Sequence, residues 1–299
     1  MKDSLSTLNW LVEAGADEAI AEAPINRLAT RTAIPSPLAG EGSSSRVNAK
    51  NWEGGSARTP PPSRVAARPP RDALGRASVL RTPQGEGESV DAIGGAMAAA
   101  AATTDLAELQ AALEAFDGCA LKRTATNTVF ADGVAEGGVM LIGEAPGRDE
   151  DRVGKPFVGR AGQLLDKMLA AIALDRKTNA YITNVINWRP PDNRDPAPEE
   201  AAQCLPFLRR HIELANPGVI ILLGAVAARH VVGISDGIMK LRGRWLEYRV
   251  GDRMVPLMPT LHPAYLLRQP AHKKLAWRDL QAVKEKMRML GLPRGRDAR

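Results

Sequence analysis

Cysteine, aromatic residues and long apolar runs are all scarce in this chain, and each scarcity excludes something. Two cysteines, Cys119 and Cys204, cannot frame a disulfide-rich secreted fold, and they agree with a reducing cytoplasm. No stretch reaches about 18 consecutive apolar residues, so no membrane-spanning helix and no membrane partner are expected. The N-terminus lacks the basic-then-apolar order of a secretory signal, and Asp3, Glu13, Asp17, Glu18 and Glu22 argue against a transit peptide. The four histidines, His211, His230, His262 and His272, show no metal-ligand spacing. Aromatics make up only 4% of residues, so an aromatic placed in a loop calls for a reason.

What is present is a chain of 299 residues, 44% of them hydrophobic, enough for one good-sized domain plus extensions. The net charge is +6 and the isoelectric point about 9.5. The charge is uneven. Residues 1–103 carry 11 basic and 11 acidic side chains, whereas from Lys240 onward there are 15 basic against 5 acidic. A basic C-terminal region favours nucleic acid or another anionic partner; ordinary solvated helix faces would account for the same charge.

Three segments follow from composition. Residues 1–33 begin with an amphipathic pattern: Leu5, Leu8, Leu11 and Val12 fall at helical spacing with Trp10 beside them, as in a helix that docks on a partner or on its own domain. Residues 34–103 read as a disordered linker, most of it rich in Pro, Ser, Gly and Arg, which buries too little apolar surface to offset chain entropy. Its Ala-rich end, Ala96–Ala102, reads as the extension of a helix starting near Thr104. Residues 104–295 alternate strands and helices. Val139–Ile142, Ala180–Ile186 and Val219–Leu223 predict buried strands. Trp245–Val250 and Met254–Pro259 predict a hairpin turned at Gly251-Asp252. Helices are expected over Ala161–Ala173, Pro198–Leu214, Ala225–Val232 and about Lys273–Leu290. That alternation predicts an α/β fold, a three-layer α/β/α sandwich with a parallel sheet whose ligand lies at the carboxyl ends of the strands.

Polar clusters follow three of those strands. Gly143-Glu144-Ala145-Pro146-Gly147 leads through Glu150 to Phe157, a lone aromatic in a Gly/Pro loop that offers a face to a planar base. A core phenylalanine accounts for Phe157 equally well when it is taken alone. Neither G-x-G-x-x-G nor G-K-[ST] occurs in that loop. Asn184 ends a strand, and its amide offers donor and acceptor together, the pattern that reads the edge of a planar base; a turn asparagine looks the same. Arg189 and Arg194 flank the Pro-rich turn that holds Asn193, placed to hold phosphates. His262 follows the last strand as a candidate donor to a leaving base, and Leu266-Leu267-Arg268 offers an apolar wedge beside a cation. A structural histidine and two core leucines are the plainer readings.

Taken together, the stretches Gly143–Asp151, Lys155–Asp166, Tyr181–Pro191, Asn193–Arg194 and His262–Arg268 resemble the family 4 uracil-DNA glycosylases. The resemblance covers about residues 109–289. It implies a central four-stranded parallel sheet and a monofunctional enzyme that removes uracil from DNA to start base excision repair. It implies Glu144, Glu150, Asn193 and His262 in catalysis and Ala145, Phe157 and Asn184 around the base. DNA contacts would come from Arg189, Arg194, Leu266, Leu267 and Arg268. The expected protein is a cytoplasmic, nucleoid-associated monomer acting on uracil-containing DNA. A catalytically silent DNA-binding protein on the same scaffold, a glycosylase for other deaminated bases, and an enzyme of small nucleotides are the alternatives.

One departure stands out. The family typically holds a [4Fe–4S] cluster on four cysteines. Here Cys119 and Cys204 match two of those positions, and Phe116 and Trp188 stand at the other two. Two thiolates fall short of the four ligands a cubane normally needs, so no cluster and no other cofactor are expected, with the two thiols reduced and close together. A histidine completing a site is the competing reading.

Overall fold

The computed structural model describes residues 84–293, with side chains from residue 91 onward. The expected amphipathic segment over residues 1–33 and most of the expected linker lie outside the described residues.

The sheet is built on apolar runs. β2 (Val139–Gly143), β3 (Ala180–Asn184) and β4 (Val219–Leu223) are buried at every position, as strands covered on both faces must be; β1 is the short Asp132–Gly133. Leu141 of β2 stands beside Ile182 of β3 and Ile221 of β4, all three parallel. β6 (Arg253–Thr260) extends the parallel set next to β4. The four strands expected from the resemblance are therefore the centre of a larger sheet. β1 pairs antiparallel with β3, and β5 (Leu246–Val250) pairs antiparallel with β6, giving six strands in the order β1-β3-β2-β4-β6-β5. The hairpin of β5 and β6 turns at Gly251-Asp252, where Gly251 has φ +57°.

Period-two alternation divides the core. Val139 and Leu141 face one layer with Leu165, Met168 and Leu169 of α4 (Arg160–Ala170) and Trp277 and Leu280 of the last helix. Met140 and Ile142 face the other layer, with Leu109 and Leu113 of α2 (Leu106–Ala115) and Phe207 and Ile212 of α5 (Pro198–Ala215). Both faces are covered, so the architecture is the expected α/β/α sandwich.

The end of the expected linker is helical well beyond its Ala-rich stretch. α1 (Gln84–Ala101) packs on α5, burying Ala96 and Ala100 completely or nearly so, because small side chains let two helices approach closely. It does not run on into α2. Thr103 Oγ1 donates to the Ala100 carbonyl, and the Asp105 carboxylate accepts from the Glu108 amide at 2.8 Å, so a polar break ends one helix and caps the next. The remaining helices, in chain order, are α3 (Arg148–Val153), α6 (Ala225–Val232), α7 (Ile238–Leu241), α8 (Pro263–Arg268) and α9 (Lys273–Met289).

Candidate active site

The loops that leave β2, β3, β4 and β6 converge on a pocket of about 430 Å³ at the carboxyl ends of the strands. The connections that leave the neighbouring strands β2 and β4 lead to opposite sides of the sheet, the position where open α/β sheets hold ligands. The three sequence clusters meet here. Glu144, Ala145, Glu150, Phe157, Asn184, Asn193, Arg194, His262 and Arg268 all line the cavity.

Gly143 makes the pocket floor possible. A Cβ on it would stand 2.3 Å from Asn184 Oδ1 and 2.7 Å from the Phe157 ring, so the amide and the ring both rest where a side chain would be. Phe157 is held in a left-handed conformation, φ +53°, which costs a non-glycine residue about 1–3 kcal/mol and persists only when its surroundings impose it. Two residues impose it. Arg176 donates to the carbonyls of Pro156 and Phe157 while pairing with Asp132 and Asp166. Glu150 Oε1 accepts from the amides of Val158 and Gly159 at 3.0 and 2.9 Å. Sequence reasoning missed Arg176 and Asp132 because nothing local marks them; their partners lie 10 to 44 positions away.

Asn184 is 2% exposed, and its Oδ1 is the buried side-chain atom without a hydrogen-bond partner among the described residues. Such an atom costs roughly 1–3 kcal/mol unless something supplies a donor. The Phe157 and His262 rings touch at 5.5 Å between centroids, tilted by 35°. His262 caps α8, its Nδ1 accepting from the Ala264 amide at 3.1 Å. Burial, aided by Arg268, pushes its pKa down to about 4. A neutral ring that accepts at Nδ1 carries its proton on Nε2, free to donate.

Glu144 is half-buried, and burial together with the nearby Asp195 raises its pKa against the opposing pull of Arg229. Asp195 also lines the pocket and was not picked out from the sequence. Asn193, at φ +52°, follows Asp192 at φ +55°, and its Oδ1 accepts from Arg189 Nε at 2.8 Å. Arg189 is thereby directed at Asn193. Arg194 is engaged with Glu200, bidentate, at 2.8 and 2.5 Å, so its charge is locally matched by a carboxylate that also closes the start of α5.

The wedge expectation needs a correction. Leu266 is completely buried in the sheet-face core, because helical geometry turns it inward, and it cannot reach a ligand. Leu267 is 38% exposed beside the exposed Arg268.

The cysteines lie together. Both are fully buried, both are free, and they share a hydrogen bond that lowers the Cys119 pKa and, with burial, raises that of Cys204. Trp188 is 1% exposed in the same core and donates to Thr128 Oγ1 at 3.0 Å; Phe116 packs on Phe207. Two thiols and two apolar rings do not supply four ligands for an iron–sulfur cluster, and no group of three or more metal-capable side chains occurs among the described residues.

The fold and pocket define an α/β protein with a strand-end cavity walled by a ring, an amide and an imidazole. A family model described as the uracil DNA glycosylase superfamily matches residues 130–281. The type-4 uracil-DNA glycosylase of Thermotoga maritima is 40% identical over 169 residues, covering 56% of this chain and 86% of that protein. The type-4 uracil-DNA glycosylase of Archaeoglobus fulgidus is 40% identical over 171 residues, covering 56% of this chain and 85% of that protein. The chain belongs to the uracil-DNA glycosylase superfamily.

Proposed function

We propose that this protein is a uracil-DNA glycosylase, which hydrolyses the N-glycosidic bond of a deoxyuridine flipped out of DNA. The observation that carries the reading is the buried Asn184 Oδ1, unpartnered, beside the Phe157 ring. It asks for a donor on a flat ligand, and N3–H of uracil is such a donor. Cytosine presents an acceptor at that position. Extruding the base gives access to its glycosidic bond, which the duplex otherwise hides.

The chemistry then follows from the residues. Water adds to C1′, the C1′–N1 bond breaks, and uracil leaves as an N1 anion while the sugar passes through a cationic state. Neutral His262 donates Nε2–H to O2 and stabilises the anion. Glu144 orients the water, takes up its proton as the bond to C1′ forms, and offsets the sugar charge. The products are free uracil and an abasic site. Glu150 acts as a positioning residue, since its Oε1 accepts from the Val158 and Gly159 amides. Asn193 sits at the rim, held by Arg189. Ala145 forms part of the wall against the base, and Leu267 fills the stack the base leaves, with Arg268 on phosphate.

No iron–sulfur cluster is needed in this reading. Trp188 and Phe116 fill the volume with packed rings, and Cys119 and Cys204 remain thiols. Residues 104–295, together with α1, act as the glycosylase domain of a monomer working on uracil-containing DNA in the cytoplasm. The reduced thiol pair and a genomic substrate support that location.

An oligonucleotide carrying one labelled uracil tests the proposal. Release of free uracil with an alkali-labile site, and none from a thymine control, is expected. Binding of the DNA without release would leave only the silent scaffold.

A further inference from the structure

A second concavity lies far from the base pocket in the chain, between α1 and α5. It is a groove of about 360 Å³ lined mainly by Ile93, Met97, Leu205 and Pro206, with Arg209, Arg210 and Glu213 as its charged lining. Met97 is 59% exposed on a helix that buries its other face. The glycosylase chemistry makes no use of this surface.

We propose that the groove is the docking site of this chain's own residues 4–23. Three observations favour that occupant. The segment carries Leu5, Leu8, Leu11, Val12 and Trp10 at helical spacing, so a helix there has one apolar face and no partner for it within its own sequence. Charge is complementary. Residues 1–23 hold Asp3, Glu13, Asp17, Glu18 and Glu22 against Lys2 alone, while Arg209 is exposed at the groove edge. Arg210 is less available, since it bonds Glu213 and the Thr103 carbonyl.

The connection is also long enough. Residues 24–83 separate the segment from the start of α1 at Gln84. A Gly/Pro/Ser-rich chain of that length has a root-mean-square span of roughly 40 Å. Met97 lies about 20 Å along α1 from Gln84 at the helical rise. The return is therefore well within reach. A tethered segment also meets its groove at an effective concentration on the order of millimolar, which favours it over a second copy at ordinary protein concentrations. The docked helix would extend the α1/α5 layer by one element and shield Met97 and Leu205 from water.

Hydrogen exchange on the full chain, read by mass spectrometry, tests this. Residues 5–12 are expected to exchange at least about tenfold more slowly than the same residues in a synthetic peptide of residues 1–23. Leu8→Asp with Leu11→Asp in one variant, and Met97→Asp in another, should each abolish that protection. Exchange of the buried strand Val139–Gly143 stays unchanged in both and serves as the check on folding. The first variant lies outside the described domain, so it keeps the test open if Met97→Asp disturbs α1. Protection should also survive dilution with the protein monomeric by light scattering. Exchange at the peptide's rate would overturn the proposal. So would protection that survives Met97→Asp in a folded domain, or protection that fades on dilution, which would assign the groove to a second copy.

Discussion

Phe157 and His262 are in ring-to-ring contact, 5.5 Å between centroids, although they lie 105 positions apart in the chain. At that spacing no base fits between the two rings. In the proposed pose a pyrimidine stacked on Phe157 therefore presents an edge to the imidazole. The contact thus sets both the plane of the ligand and which atoms His262 can reach.

Gly143 is the first point at which this arrangement can be broken. Gly143→Ala places a methyl within 2.7 Å of both the Asn184 amide and the Phe157 ring. Uracil excision should fall at least tenfold, with a stability loss of about 1–3 kcal/mol as the strand end repacks. Single-turnover excision alongside urea unfolding measures both. Undiminished excision would show that amide and ring need not be where they are.

Leu266 and Leu267 should separate stability from function. Leu266→Ala empties a fully buried site and should cost about 2–5 kcal/mol in urea unfolding. Leu267→Ala should cost no more than about 0.5 kcal/mol, as surface changes usually do, yet slow excision from duplex DNA more than from single strands. The reverse pattern would reassign the wedge.

Acid should weaken the fold in a defined window. The folded-state pKa of His262, about 4, lies below the ordinary 6.5, and that of His211 is pushed to about 3 by burial. A depressed pKa means the unfolded chain binds the proton more readily. The stability these neutral rings contribute is therefore present above pH 6.5 and is lost as pH falls toward 4. Unfolding free energy should decline through that window. Excision should show no step at 6.5, its acidic limb belonging instead to Glu144, whose pKa is raised above 4.5. A limb at 6.5 that vanishes in His262→Ala would mean that His262 titrates in the open.

Much of this was legible in the chain, and the remainder was hidden for identifiable reasons. The strands Val139–Ile142 and Val219–Leu223 were readable because continuous apolar runs bounded by glycine have few other uses. The helix at Ala225–Val232 was readable to the residue. The edge strand Asp132–Gly133 is two residues long and leaves no pattern to find. Of the helix over Gln84–Ala101 only the Ala-rich end was legible, and its start was masked by low-complexity composition. For the site, strand-end polar residues pointed to Asn184 and His262. Arg176 carries no local signal, because its task is to bridge segments distant in sequence. Glu150 came from the resemblance, and that its Oε1 would accept from two distant backbone amides carried no local signal.

Trp188 tests the reading of the vacant cluster positions. Trp188→Ala should cost about 3–5 kcal/mol, as expected for a large side chain removed from a packed core. The purified wild-type protein should carry well under one iron per chain, and chelator should leave its thermal midpoint unchanged. Stoichiometric iron, or a midpoint that drops on chelation, would mean that ligands beyond Cys119 and Cys204 complete a site.

The most direct measurement is single-turnover uracil release by His262→Ala and Asn184→Asp, paired with the affinity of each for uracil-free DNA. Losing one well-placed donor typically slows such chemistry by about a hundred to a thousand fold. Both variants should show losses of that order with affinity within about threefold of wild type, because neither side chain is needed to hold undamaged DNA. Wild-type release by both variants would contradict a pocket built from Phe157, Asn184 and His262.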